Sequence, residues 1–435
     1  MSSKFFRKTR VAAIGMALAI APMVVKAQDK ISLSLDEAIE YALEHNREME
    51  NADLAVKEAE QKIWETTAQG LPQIDAAVDY SNFMGAEMSI SFMEGQPPMT
   101  RKFEPTSNAQ LTVGQLIFSG SYLVGLQSAK LYRDLTELQN KKTALDIKAA
   151  VINSYYLALM AQRSKEIVGK NLENLRDIYR KTESMVYAGV LDKYDLDQLS
   201  VQMAQVEQAL KSAERQEEIS YNMLRLQLGV NRNIALELTD SLDGIFEDRS
   251  DDSWDGSLAE NLDLQLMHSQ GKMVEKQVEL EKMAYLPTVT AFYSHTEKIL
   301  KPEFDLSPKN VIGLQANIPI FSSGMRRARV NQAKIRLETQ RNSMSLLEEQ
   351  LAIQEKQLIY NLTNAREQYE IQKRNIEVSK AVYENFNRKY EHGMASSLDL
   401  TTANNNYLQA ESGYINAMLQ LLDAETALMK LYNRL

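Results

Sequence analysis

From Met325 to His392 the chain runs for 68 residues without a proline or a glycine. From Tyr122 to Ala188 it has no proline and only two glycines. At a rise of ~1.5 Å per residue, an unbroken helix over either stretch extends about 100 Å. Helices of ordinary globular domains stop far sooner, so such length restricts the chain to a coiled coil, a membrane span or a helical assembly. No apolar run after residue 27 approaches a transmembrane helix in length. The spacing of apolar residues decides for the coiled coil. Leu400, Ala403, Tyr407, Ala410, Tyr414, Ala417, Leu421, Ala424, Leu428 and Leu431 follow an uninterrupted 3-4 rhythm. Large and small side chains nearly alternate along it, as knobs-into-holes packing requires. Leu131, Leu135, Leu138, Leu145, Ala149, Ile152, Tyr156 and Leu159 keep the same rhythm, with Lys142 as the one defect.

Each long run ends at a glycine and is followed by a second helical run, in "YAGVLDKYDLDQL" and in "YEHGMASSLDLTTA". Gly189 and Gly393 are suited to the left-handed conformation that closes a helix. Asp192 and Ser396 or Ser397 are the expected caps of the helices that follow. Two helical hairpins are therefore predicted, about 121–228 and about 325–432.

Ahead of each hairpin the periodicity changes from helical to two-residue alternation. In "LPQIDAAVDY" Ile74, Ala76, Val78 and Tyr80 oppose Asp75 and Asp79; before the second hairpin Ile312, Leu314, Ala316, Ile318 and Ile320 oppose Gln315 and Asn317. Strands are predicted at about 72–83, 109–118, 287–296 and 310–320. Pro72 and Pro287 open a strand in each half. The steps "FSG" and "FSSG", ending at Gly120 and Gly324, turn the last strand of each half into the long helix. Each pair of strands is preceded by one helix, the first capped by Ser34 with Glu37 three residues on.

The two halves align with each other. Leu71 matches Leu286 at an offset of 215 residues, and everything from Ala129 against Ala333 to Asp195 against Asp399 matches at 204. A single insertion between the two strands of the first half accounts for the difference. The chain thus reads as a duplicated unit, 28–245 and 246–435. Four strands cannot close a transmembrane barrel, for which eight is the usual minimum, and open edges are not tolerated in a bilayer. Copies of the same chain must complete such a wall, and three copies give twelve strands.

The N-terminus carries an export signal. Lys4, Arg7, Lys8 and Arg10 precede the apolar run Val11–Val25, and "VKA" ends at Ala27 in the manner of a cleavage site. Removing residues 1–27 takes away five basic and no acidic side chains, so the formal charge moves from −10 to −15. An acidic surface excludes nucleic acid as the natural partner. There is no cysteine, hence no disulfide framework. His45, His268, His295 and His392 lie too far apart in sequence to suggest a metal site, and read as surface residues. No metal, cofactor or catalytic constellation is expected, and no phosphate-binding loop that would power transport. Arg326, Arg327 and Arg329 fit a solvated helix face or contact with anionic lipid head groups. The tyrosines are expected in the helical seams, with a few in a membrane-interface belt.

The order of these features, with "LSLDEAIEYALEHNREM", "LPQ" and "LPT", "FSG" and "FSSG", and the two Gly-x-x-x-x-x-Asp-Leu turns, resembles the TolC family of outer-membrane efflux proteins. The resemblance covers Gln28 to Leu435. It implies a mainly α-helical chain with a membrane β-barrel: a homotrimer whose twelve-stranded barrel in the outer membrane continues into a helical barrel through the periplasm. It also implies a periplasmic adaptor, an inner-membrane pump of the RND or ABC type, and outer-membrane lipid as partners. Asp399 falls on an aspartate that rings the periplasmic entrance, and the second ring position falls on Thr402. Asp195 and Tyr390 match two members of the contacts that close the entrance, whereas the family's arginine there falls on Ala395. The tip turns, Gly189 with Val190 and Gly393 with Met394, would meet the adaptor. Read from the residues alone, Asp195 and Asp399 equally suit helix N-terminal carboxylates that complement the dipole. A periplasmic adaptor or a coiled-coil scaffold without a pore is the alternative function, although two hairpins and few strands disfavour the adaptor.

Overall fold

The computed structural model describes residues 30–90, 99–247, 256–301, 305 and 307–435; the export segment at 1–27 lies outside the described residues. In chain order the elements are β1 (Lys30–Leu33), α1 (Leu35–His45), α2 (Arg47–Ala68), β2 (Gln73–Ser81), β3 (Glu87–Ile90), β4 (Met99–Lys102), β5 (Thr106–Ser119), α3 (Gly120–Tyr187) and α4 (Lys193–Leu228). There follow β6 (Ala235–Leu238), α5 (Leu242–Glu247), a 3-10 turn at Leu258–Glu260, α6 (Leu262–Met283), β7 (Thr288–Leu300), β8 (Asn310–Asn317), α7 (Met325–Glu391) and α8 (Ser397–Leu431). Helix dominates. The two long helices are unbroken, 68 residues in α3 and 67 in α7.

Their partners are half as long, 36 residues in α4 and 35 in α8. Each returns only partway, and a separate helix, α2 or α6, packs along the remaining length of α3 and α7. One residue type makes both splices. Asn46 caps α2 by accepting from the Glu48 amide at 2.7 Å while its Nδ2 donates to the Gln227 carbonyl in the last turn of α4 at 2.7 Å. Asn261 caps α6 by accepting from the Asp263 and Leu264 amides, at 2.9 and 3.2 Å, while its Nδ2 donates to the last-turn Leu431 carbonyl of α8 at 2.9 Å. Both asparagines are buried. Only a side-chain amide supplies an acceptor and a donor at this reach, so one residue satisfies orphan groups of two helices. The single opening helix predicted for the first half is therefore two. Asn46 in extended conformation ends α1, and that helix sits against α3 and α4. The Ser34–Glu37 capping box forms as expected.

The main core lies at this splice level. Tyr155, Val151, Leu224 and Leu228 pack there with Ala38 and Ala42 of α1, and β1 pairs in parallel with β6 beside them. The Tyr155 hydroxyl is 2.9 Å from Asp240 Oδ2 and 3.1 Å from the Leu33 carbonyl, so the buried phenol is satisfied. This small sheet was not apparent in the sequence.

The four predicted strands form one antiparallel sheet in the order β2-β5-β7-β8. Their lengths differ from expectation: β5 and β7 are longer, and β8 stops at Asn317 because Pro319 has no amide to donate. Register places Ile74, Val113, Tyr293 and Ile312 in one row of one face. Ile312, Val78 and Ile74 are 85%, 74% and 68% exposed, so this apolar face is bare. The opposite face is polar, with Asn108 donating to Asp79 at 3.1 Å and Gln110 to Ser294 at 2.7 Å. The outer edges of β2 and β8 have no partner strand among the described residues. The antiparallel ribbon β3–β4 occupies the first-half insertion.

The strand-to-helix junctions are built differently. At the first, β5 passes directly into α3 with Ser119 as cap, and Gly120 is buried. A Cβ there would lie 2.9 Å from Leu286 Cδ1 and 3.1 Å from Met283 Sδ, so this glycine answers to close packing and not to a sharp turn. Two residues before Pro72 stands Gly70, where a Cβ would run into the phenol end of Tyr122. At the second junction, past Pro287 and β7–β8, Gly324 has φ 84° in open space and does make a turn. Arg326 locks that turn: it is buried, donating to the Pro319 carbonyl at 2.6 Å and Ser322 Oγ at 3.1 Å, over the Tyr285 ring. It therefore belongs neither to a solvated face nor to a lipid contact, whereas Arg327 and Arg329 are exposed.

Candidate functional site at the hairpin tips

The ends of the two hairpins farthest from the sheet bring most of the predicted residues together. Each turn closes in the same way. Gly189 at φ 77° donates to Val186 while Val190 donates to Met185, and Gly393 at φ 71° donates to Tyr390 while Met394 donates to Lys389. These are paired 5→2 and 6→1 bonds, which leave the side chains of Val190 and Met394 pointing out. Both are 70% exposed.

Beside the turns, three polar contacts among the described residues join one hairpin to the other. Tyr390 is buried, and its hydroxyl lies 2.6 Å from Thr182 Oγ1. The threonine's own hydrogen is engaged with the Ile178 carbonyl at 2.8 Å, so Tyr390 is the donor. Half-buried Asp195, in the first turn of α4, accepts from Ser397 Oγ of α8 at 3.0 Å. Lys181 pairs with Glu391 at 3.1 Å on the surface. Around Tyr390 the side chains of Leu175, Ile178, Leu199 and Leu400 form a closed cluster, with Ala395 packed at its margin. About two turns farther in, Asn404 donates to Asn171 at 2.5 Å, and both are buried. Asp195 and Tyr390 thus bind the opposite hairpin through separate partners. The sequence did not point to Thr182, because a single hydroxyl on a helix gives no spacing signal, and it offered Ser397 only as a candidate cap, a role that Ser396 takes.

Asp399 is exposed and belongs to a reciprocal cap. Its Oδ2 accepts from Ser396 Oγ at 2.7 Å and the Ser396 amide at 3.1 Å, and its own amide donates to Ser396 Oγ at 3.2 Å. The Ser396 hydroxyl and then its amide hold the Asp399 carboxyl below the usual aspartate range. Thr402, one turn on, is exposed and donates to the Leu398 carbonyl at 2.8 Å. Tyr407 lies in the seam as expected, stacked on Tyr383 at 5.8 Å. Pro72, Gly120, Pro287 and Gly324 stand at the other end of the long helices, about 100 Å away. Among the described residues no group of three or more His, Asp or Glu side chains is placed to hold a metal ion. No described helix is long and apolar enough to cross a membrane.

A sheet with one bare apolar face, seated on two hairpins of this length, is the architecture of outer-membrane channel subunits. The chain belongs to the outer membrane efflux protein family, whose sequence profile matches residues 38–230 and 255–434. The family is one of channels, not enzymes. No curated protein matches the sequence significantly. Among solved structures the fold is similar to that of the Campylobacter jejuni CmeC outer membrane channel, at TM-score 0.71 and 16% identity over 92% of this chain and 85% of that one. The outer membrane protein VceC of Vibrio cholerae gives 0.71 and 16%, over 92% and 95%. The open state of the Neisseria gonorrhoeae MtrE outer membrane channel gives 0.72 and 17%, over 92% and 88%.

Proposed function

We propose that three copies of this chain form an exit duct: a twelve-stranded barrel in the outer membrane, continuous with a helical barrel crossing the periplasm. The observation that carries this reading is the sheet. Its apolar face is exposed, its opposite face is polar and hydrogen-bonded, and both edges are unpaired among the described residues. In a bilayer unpaired edges cost several kcal/mol per backbone group, and closure onto β2 and β8 of neighbouring copies removes them. The matching succession of strand pair, long helix, glycine turn and half-length helix in the two halves supports descent from one duplicated unit, with 28–245 and 246–435 as the repeats. In this reading solutes enter at the tips, delivered by an inner-membrane pump and its adaptor. The exposed Val190, Met394, Tyr187 and Tyr194 offer the adaptor an apolar rim. The Tyr390–Thr182 and Asp195–Ser397 bonds hold the second hairpin against the first and keep the entrance narrow. Asp399, once per protomer, supplies negative charge at that entrance.

Reconstitution tests the whole. Full-length mature protein in planar bilayers should form channels whose mass corresponds to a trimer. Recovery as a water-soluble monomer without conductance would refute it.

A further inference from the structure

The eight described strands contain two glycines, Gly114 in β5 and Gly313 in β8. Glycine inside a strand weakens it and gives up a packing side chain, so each needs a reason. Both stand directly opposite the same residue: Gly114 pairs with Phe292 on one side, and Gly313 pairs with Phe292 on the other. Cross-strand partners share a face, and this is the polar face of Asp75, Asn108, Gln110, Thr112, Ser294 and Gln315. Among the described residues of these four strands, Phe292 is the only aromatic side chain on that face. Its ring does not stand up from the sheet. A Cβ placed on Gly313 would lie 2.8 Å from Phe292 Cζ and 2.9 Å from Cε1, so the ring is laid flat across Gly313. At Gly114 a Cβ would meet nothing within 4 Å, leaving an equal bed on the other side.

We propose that Phe292 is the bore-setting residue of the barrel, and that Gly114 and Gly313 are the two beds on which its ring lies down out of the lumen. The inference rests on the trimeric-duct reading, in which the polar face lines the lumen and three such rings share one level. With valine at both glycines the ring has no floor beside it and must rise toward the axis. Valine suits a strand better than glycine does, so the exchange is not expected to harm the sheet. A simple cross-strand Phe–Gly packing role would predict no effect on passage.

The absence of native cysteine makes the test site-specific. Thr290→Cys lies below the ring on the same face and Thr296→Cys lies above it, toward the β7–β8 loop. Intact cells expressing the full chain are treated from outside with a bulky, membrane-impermeant maleimide. Gly114→Val with Gly313→Val should slow labelling at position 290 by roughly threefold or more, because twelve strands enclose a lumen only moderately wider than a side-chain-filled one. Labelling at 296 should be unchanged, and adding Phe292→Ala should restore the rate at 290. Equal rates at 290 with and without the valines overturn the inference, as does failure of Phe292→Ala to restore them. No labelling at 296 in any background would instead refute the lumenal orientation and with it the duct.

Discussion

The tip contact between Tyr390 and Thr182 makes an asymmetric prediction. Thr182 Oγ1 donates to Ile178 and accepts from Tyr390, so the two hydroxyls are not equivalent. Tyr390→Phe removes one neutral hydrogen bond but leaves Thr182 still bonded. The loss to the docked state is the net value of such a bond, about 0.5–1.5 kcal/mol. Thr182→Val does something worse: it leaves the Tyr390 hydroxyl, on a residue 3% exposed, buried without an acceptor. That costs about 1–3 kcal/mol, and it is relieved when the hairpins part and water reaches the phenol. If docking of the hairpins is what closes the entrance, these energies convert directly into opening. Tyr390→Phe should raise the opening equilibrium by roughly 2- to 12-fold per protomer, and Thr182→Val by roughly 5- to 150-fold. The double variant replaces both polar partners with apolar groups of similar shape, so it should open less readily than Thr182→Val alone. Open probability of single channels in planar bilayers reads all three. The reasoning fails if Tyr390→Phe matches or exceeds Thr182→Val, or if the double variant opens more than either.

Other sites give shorter tests. Asn46→Asp keeps the acceptor for Glu48 but faces the Gln227 carbonyl with an oxygen, leaving that buried acceptor unpaired at a cost of about 1–3 kcal/mol. The new carboxyl, when protonated, donates as the amide did, so its folded-state pKa is raised. Its contribution to stability is then present below the unfolded value and lost as pH rises through the folded one. Thermal unfolding in detergent should accordingly reveal a deficit at neutral pH that shrinks in acid, and a deficit independent of pH would contradict the account. Asp399→Ala should abolish channel block by trivalent cations. Ser396→Ala, which removes the hydroxyl holding the Asp399 carboxyl down, should move the loss of that block on acidification to higher pH. Wild-type block should persist to lower pH, since a depressed carboxyl stays charged until pH falls through its folded value. Arg326→Lys keeps the charge but cannot reach Pro319 and Ser322 together, so it should lower thermal stability more than Arg327→Lys, measured in the same melts.

Periodicity carried the long elements and the faces of the sheet. The runs around α3 and α7 contain nothing that breaks a helix, and the alternation in β2 and β8 correctly separates Ile74 and Ile312 from Asp75 and Gln315. Gly189 and Gly393 were legible for the same local reason, since a helix end that needs positive φ selects glycine. Contacts between segments far apart in sequence were not legible. Gly120 looks like a turn residue from its neighbours, but its cause is Met283 and Leu286, more than 150 residues away. Arg326 reads as one of a basic run until Tyr285 and the Pro319 carbonyl close around it. Asn46 belongs to an expected motif, yet its second bond, to the end of α4, explains why asparagine and not serine or aspartate stands there. At the tip the apolar cluster around Tyr390 was partly foreseeable, whereas its hydroxyl partner Thr182 was not.

The two ends of the chain differ in what they leave unsatisfied, and this divides the work between assembly and gating. At the sheet, a single copy ends in open backbone edges and a bare apolar face, neither of which it can cover by itself. At the tip, polar groups find partners within the single copy: buried Tyr390 finds Thr182, buried Asn404 finds Asn171, and the exposed Asp399 is folded back onto Ser396. In the proposed duct, trimerisation is therefore driven at the sheet, where no alternative exists, while docking of the second hairpin on the first is an internal equilibrium of each protomer. Hydroxyls, amides and the half-buried Asp195 carboxylate make that equilibrium's polar contacts at the tip, and the ion pair beside them, Lys181–Glu391, is exposed and worth little. Opening should consequently respond weakly to ionic strength, because screening acts on exposed charges and leaves buried hydroxyl bonds untouched. A steep salt dependence of open probability in the wild-type channel would mean that charges between protomers, and not these intrachain bonds, hold the entrance.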